Sequence, residues 1–267
     1  MSILGTFFAL LTGWVGGALV NYLADVLPYH LKPVSPFCQH CQKAFPLWNY
    51  LVWPRRCPAC GRRRAWRTWL VEAAAITAAF WLWNAPPPRL GFFLGLLLLV
   101  YFGAVAIIDL EHRLIMHSLS LAGVLLGAFT GVWLQWQKTH SPGAAILDTF
   151  LGGAAGFGVM LALYFLGGRF ARWIARQRGE TLEEEALGFG DVHLGLILGL
   201  FLGWPAVIIG LVVGVMFGGM ASLAYLVIKV FTGRHQWFAA IPYGPYLIAG
   251  AVFLLYFREP IIASLGN

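Results

Sequence analysis

Apolar residues run through this chain in long unbroken blocks, separated by shorter polar stretches. The blocks show no period-2 alternation, so they predict helices and exclude a transmembrane barrel. Eight of them stand out, at about 3–24, 68–84, 90–109, 115–135, 145–167, 191–203, 206–230 and 241–257. Most match the roughly 20 residues a helix needs to cross a hydrocarbon core about 30 Å thick. The sixth is short for a crossing, and Gly203-Trp204-Pro205 turns it tightly into the seventh.

Composition agrees with this pattern. Hydrophobic residues make up 60% of the chain and charged residues 11%, with a mean hydropathy of +0.75. That balance excludes a soluble globular enzyme and predicts an all-α polytopic membrane protein of about eight spans. No basic residue precedes the first block and no small-residue cleavage site follows it, so it is expected to be a retained span. The organisation read from the blocks is a first helix over 1–27, a polar loop over 28–67 and a membrane-embedded core over 68–267.

Charge sets the orientation. Of the 18 Lys and Arg residues, all but Arg89, Lys138 and Arg258 fall on one side of the predicted membrane. The positive-inside rule makes that side cytoplasmic and puts the N-terminus outside. The net charge of +7 is therefore accounted for by topology and an anionic lipid bilayer, with no nucleic-acid partner expected.

All four cysteines lie in the first cytoplasmic loop, as Cys38-Gln-His-Cys41 and Cys57-Pro-Ala-Cys60. Two such pairs at this spacing suit paired zinc knuckles, and cytoplasmic thiols stay reduced. Four thiolates around Zn2+ leave no open coordination position, so the expected role is structural. Arg62, Arg63, Arg64 and Arg67 follow directly and read as a cytoplasmic anchor of the second span.

Acidic residues are few enough to weigh singly. Glu180 and the Glu183–Glu185 run form a polar loop, with a steering role for a basic substrate as the sharper reading. Asp25 reads as a wetted interface residue and Glu72 as an interface carboxylate beside Arg67. Asp109 closes the third block and Asp191 opens the sixth, which topology places on the same, cytoplasmic side. Each has a plain explanation, Asp191 as a helix cap and Asp109 as the start of a polar turn. Together, with Gly188 and Gly190 leading into Asp191, they read as an intramembrane carboxylate pair. Such a pair shares a proton, so one member activates water while the other protonates a carbonyl. His112, His117 and His193 lie nearby, but no His-Glu-x-x-His spacing supports a metalloprotease.

These residues resemble the type IV prepilin peptidase family over nearly the whole chain. The resemblance rests on Gly17 through Asn21 to Leu27-Pro28, the two cysteine pairs, Glu72 and Asp109 with His112. Gly188-Phe189-Gly190-Asp191-Val192 and Ile241-Pro242-Tyr243-Gly244-Pro245-Tyr246 complete it. It implies an inner-membrane aspartic endopeptidase that removes the leader of type IV prepilins and pseudopilins after a glycine. It assigns the dyad to Asp109 and Asp191. Gly188 and Gly190, with Pro242, Gly244 and Pro245, are expected to offer backbone to the substrate. Long members with the cysteine loop often also methylate the new N-terminus with S-adenosylmethionine, and the region the resemblance associates with that role holds Arg56 and Glu72 here. Departures from the family pattern are His193 for lysine, Met116 for proline, Val26 for arginine, Arg55 for glycine and Thr68-Trp69 for Tyr-Pro. The competing reading is a catalytically diverged scaffold or a carboxylate-based transporter.

Overall fold

The computed structural model describes residues 2–30, 34–52, 55–178, 188–231 and 242–265. Glu180, the Glu183–Glu185 run and Ile241 lie outside the described residues. Among the described residues are nine helices and no strand: α1 (Ile3–His30), α2 (Leu47–Leu51), α3 (Arg67–Asn84), α4 (Gly91–His112), α5 (His117–Thr139), α6 (Pro142–Arg178), α7 (Phe189–Leu202), α8 (Ala206–Phe231) and α9 (Gly244–Leu265). Each predicted block falls on its own helix, and α2 is an extra short turn between the two cysteine pairs.

Five of these helices are long and apolar enough to cross a membrane: α1, α4, α5, α6 through Phe170 and α8 through Lys229. Apolar α7 and the Gly244–Phe257 part of α9 are shorter. Helix α3 is absent from that set; its first turns carry Arg67, Thr68 and Glu72.

The chain divides into two compact units, Met1–His112 and Arg113–Asn267. In the first, α1 packs on α3 and α4. Lipid is as apolar as leucine, so helices in it associate through close approach of backbones at small residues. The seam between α1 and α3 follows that rule: a Cβ added at Gly13 would lie 2.8 Å from Ile76 Cα, and one at Gly17 2.8 Å from Glu72 Cα.

The second unit is built around α7, which contacts α5, α6, α8 and α9. From Asp191 to Leu202 every residue of α7 except His193 and Leu196 is buried. Its seam with α6 is almost pure backbone. A Cβ at Gly156 would fall 2.1 Å from Gly195 O, and one at Gly199 2.2 Å from Gly152 O. The α8–α9 pair repeats the device, since a Cβ at Gly250 would fall 2.4 Å from Gly210 O.

Candidate active site and metal centre

The cysteine loop folds as two matching knuckles. Cys38 N–H donates to Lys43 O at 2.9 Å and Gln42 N–H to Cys38 O at 2.8 Å; Cys57 N–H donates to Arg62 O and Gly61 N–H to Cys57 O at the same two distances. Gln42 and Gly61 close the two turns with φ of 58° and 71°, the left-handed region each turn demands. This places all four sulfurs within 4.8 Å of one another. Cys38 and Cys60 are 3.7 Å apart and Cys41 and Cys57 3.6 Å. A tetrahedral ion with bonds of about 2.3 Å requires sulfur–sulfur edges of ~3.8 Å, so the set fits a metal ion. It does not fit disulfides, whose sulfurs bond at about 2 Å.

Electrostatics favour the same conclusion. Burial alone raises the Cys57 thiol, but the Cys60 and Ala59 backbone N–H groups and the sulfurs of Cys41 and Cys60 bring it down to about 7. At Cys60 the Arg62 N–H acts downward, yet burial and its three sulfur neighbours push it up to about 11. Thiols this crowded cannot all ionise unaided, and a cation among them removes the conflict.

Around the knuckles lies an ion network that the sequence does not disclose. Asp25, which reads from the sequence as wetted, has a side chain only 13% exposed. Tyr50 Oη–H donates to Asp25 Oδ2 at 2.6 Å, Arg64 Nη2 donates to the same oxygen at 2.6 Å, and Arg67 Nη2 donates to Oδ1. Arg67 also donates through Nη1 to Glu111 Oε2 at 2.5 Å, and the Arg64 guanidinium stacks 3.6 Å above the Tyr50 ring. Burial first, and then the Asp25 carboxylate, push the Tyr50 phenol well above its ordinary value, so it stays a neutral donor. Arg64 and Arg67 are thus internal partners, not merely a membrane anchor. A cleft of about 420 Å³ opens beside them, with Cys38, His40, Arg62 and Glu111 also in its walls.

Glu72 is buried, but its partner is not Arg67. Arg55 Nη2 donates to Glu72 Oε2 at 2.8 Å, with both side chains about 95% buried. Arg55 also donates to Leu51 O through Nε and Nη2 and covers the Trp69 ring at 4.2 Å. Its φ is +53°, which explains the glycine of the family pattern at this position: the turn needs a left-handed residue. Arg56 is exposed and sits opposite Arg63. The signal that could have found Arg55 is that departure from glycine.

Removing one partner of a buried pair strands the other charge, at a cost of about 3–5 kcal/mol. Glu72→Ala is expected to lower thermal stability in detergent strongly, with Glu72→Gln less severe because it keeps a hydrogen-bond acceptor. Equal melting of Glu72→Ala and wild type would show that the pair contributes nothing.

Asp109 lies in the last turn of α4, in the first unit, and is 5% exposed. Asp191 occupies the first turn of α7, in the second unit, and is 9% exposed. Its Oδ2 accepts the N–H of Gly188 at 3.2 Å, so it does cap its helix while offering a carboxylate there. At Gly190 an added Cβ would lie 2.9 Å from Ile115 Cβ; the close approach this glycine allows is made by the segment leading into α5. Gly188 meets only ordinary contacts. Pro242, Gly244 and Pro245 stand at the start of α9, where Tyr243 O accepts the N–H groups of Tyr246 and Leu247. His193 stacks edge-on against Phe189, with ring centroids 5.0 Å apart, and its ring centroid lies 6.3 Å from that of His117.

Comparison with known proteins matches residues 93–223 to the type IV leader peptidase family. The matched segment contains Asp109 and Asp191 and excludes the four cysteines. A type 4 prepilin-like proteins leader peptide-processing enzyme of Escherichia coli O78:H11 is 34% identical over 174 residues, 62% of this chain and 58% of that protein. The alignment thus leaves a large part of that relative uncovered. Prepilin leader peptidase/N-methyltransferases of Aeromonas hydrophila and Burkholderia pseudomallei (strain 1026b) are each 27% identical. They cover 87% and 91% of this chain and 75% and 74% of their own lengths. No solved structure gives a significant match. The family match encloses both buried aspartates, and relatives of that kind extend over the cysteine loop, so the chain is similar to type IV leader peptidases along most of its length.

Proposed function

We propose that this protein is an aspartic endopeptidase of the bacterial inner membrane that removes the leader of prepilins or pseudopilins after a glycine, at the cytoplasmic face. The observation that carries this reading is the family match around two aspartates, each buried at the end of an apolar helix. In the proposed reaction the two carboxylates share one proton and hold a water. The N-terminal end of α7 favours an anion and the C-terminal end of α4 disfavours one, so Asp191 is the base and Asp109 the acid. Asp191 takes a proton from water as its oxygen attacks the scissile carbonyl, and Asp109 protonates the carbonyl oxygen. Collapse of the tetrahedral adduct breaks the C–N bond: the departing amine takes the proton from Asp191, and the diol hydroxyl returns its proton to Asp109 as the new carboxyl group forms. The four cysteines hold Zn2+ in a structural role; the sulfur spacing and the lack of an open ligand position support that choice.

N-methylation of the new N-terminus is a second reading. It is favoured by the names of the relatives and by the cleft of about 420 Å³, a volume within the usual range for small-molecule sites. Arg62 and Arg64 suit a carboxylate, and Asp25 and Glu111 suit an ammonium group. S-adenosylmethionine bound there would supply an electrophilic methyl group.

One experiment tests both: purified protein with a full-length prepilin, with and without methyl donor, read by mass spectrometry. The expected products are a cut after the leader glycine and, with donor, a mature chain heavier by one CH2. A cut without added mass removes the second reading. A folded, metal-loaded protein that cuts no prepilin removes the first and favours a diverged scaffold.

A further inference from the structure

We infer that Arg67 and Glu111 are positioning residues for Asp109, joining the metal-binding loop to the last turn of α4. The inference rests on the peptidase reading above. All the residues involved belong to the first unit.

The last turn of α4 carries Asp109, Glu111 and His112. It lacks the glycine that commonly terminates a helix; Arg113 follows it with φ of 51°. Frayed ends are the most mobile part of a helix, and a carboxylate that must meet a substrate bond cannot be left on one. Side-chain contacts from two sides help hold this turn instead. From one side Arg67 grips Glu111 while its other nitrogen holds Asp25, which is itself fixed by Arg64 and Tyr50. From the other, His112 packs edge-on against Tyr29 at 5.7 Å, and Tyr29 packs edge-on against Phe37 at 5.6 Å. Phe37 adjoins Cys38 and Arg64 follows the second knuckle, so both contacts originate at the sulfur cluster.

An exposed ion pair is normally weak. Here the Arg67 side chain is only 15% exposed and its fork is shared between two carboxylates on different elements. That arrangement restricts direction, and direction is what a general acid needs: a displacement near 1 Å can cost about a hundredfold in rate. The metal loop thus acts on catalysis without contributing an atom to it.

The test uses the full chain in detergent or lipid, with metal content assayed in each sample. Glu111→Gln is expected to lower kcat about tenfold with KM within about twofold, since orientation and not binding is lost. Arg67→Gln is expected to lower it further, with partial recovery in Arg67→Lys. Stripping the metal should reduce kcat in wild type by a larger factor than in Glu111→Gln, where the Arg67 contact is already cut and only the His112–Tyr29 contact is left to lose. Amide hydrogen exchange over 109–112 should rise on metal removal in wild type, and in Glu111→Gln with its metal retained. An unchanged kcat and unchanged exchange in Glu111→Gln, or losses that multiply independently with metal removal, would overturn the proposal. The exchange readout does not depend on the chemistry: if Asp109→Asn still cuts, the peptidase reading fails whatever the exchange shows.

Discussion

Asp109→Asn and Asp191→Asn are each expected to reduce prepilin cleavage by about a thousandfold or more while leaving metal content and melting temperature close to wild type. General acid or base catalysis alone supplies roughly 10²–10⁴ in rate, and in a shared-proton pair the loss of either member disables both roles. Asparagine keeps the size and much of the hydrogen bonding. The Gly188 N–H that donates to Asp191 Oδ2 still finds an acceptor, so the cap of α7 survives the change. Cleavage by either variant within tenfold of wild type would place the chemistry on other residues.

The second large effect concerns a residue with no part in chemistry. Gly156→Leu is expected to abolish cleavage and lower the unfolding temperature markedly, because its Cβ would enter the Gly195 carbonyl at 2.1 Å. Overpacking against side chains costs roughly 1–3 kcal/mol as they shift. Here the obstacle is the backbone of a helix buried on nearly every face, so α7 must move as a body, and Asp191 with it. Gly158→Leu on the same helix, where an added Cβ meets nothing within 4 Å, is the control and should melt and cut like wild type. Equal behaviour of the two variants would mean that the glycine seam does not set the position of α7.

The helices are legible in the sequence because each apolar block has to fold on itself: in lipid every backbone N–H and C=O must be satisfied within its own segment. Their ends are less so. Pro28 suggests a stop, yet it stands inside the last turns of α1, which continues to His30. The block at 145–167 extends as α6 to Arg178, since Arg169, Arg172 and Arg176 favour helix once clear of the apolar region. The cysteine cluster is readable from spacing alone, because each knuckle is a local turn. Pairing among the charges is not. Six arginines fall between positions 55 and 67, ahead of Glu72 and 30 or more residues beyond Asp25, and which reaches which depends on the folded knuckles. Arg67 therefore belongs with Asp25 and Glu111, and Glu72 with Arg55. Gly190 illustrates the same limit: its need for space is evident, but the neighbour that fills the space, Ile115, is tertiary information.

The length of α7 has a consequence for which chains can be cut. Its 14 residues rise about 21 Å at ~1.5 Å each, some 9 Å less than a hydrocarbon core of about 30 Å. In the proposed topology, an anchor of the Trp204 hairpin, 44% exposed, at the far interface would set Asp191 below the lipid headgroups. An extended chain descends ~9 Å in about three residues, whereas a folded domain cannot descend at all. Under the peptidase reading, depth would then act as a ruler: a glycine followed closely by compact structure would stay out of reach, and one set in a thin, pliable stretch would be admitted.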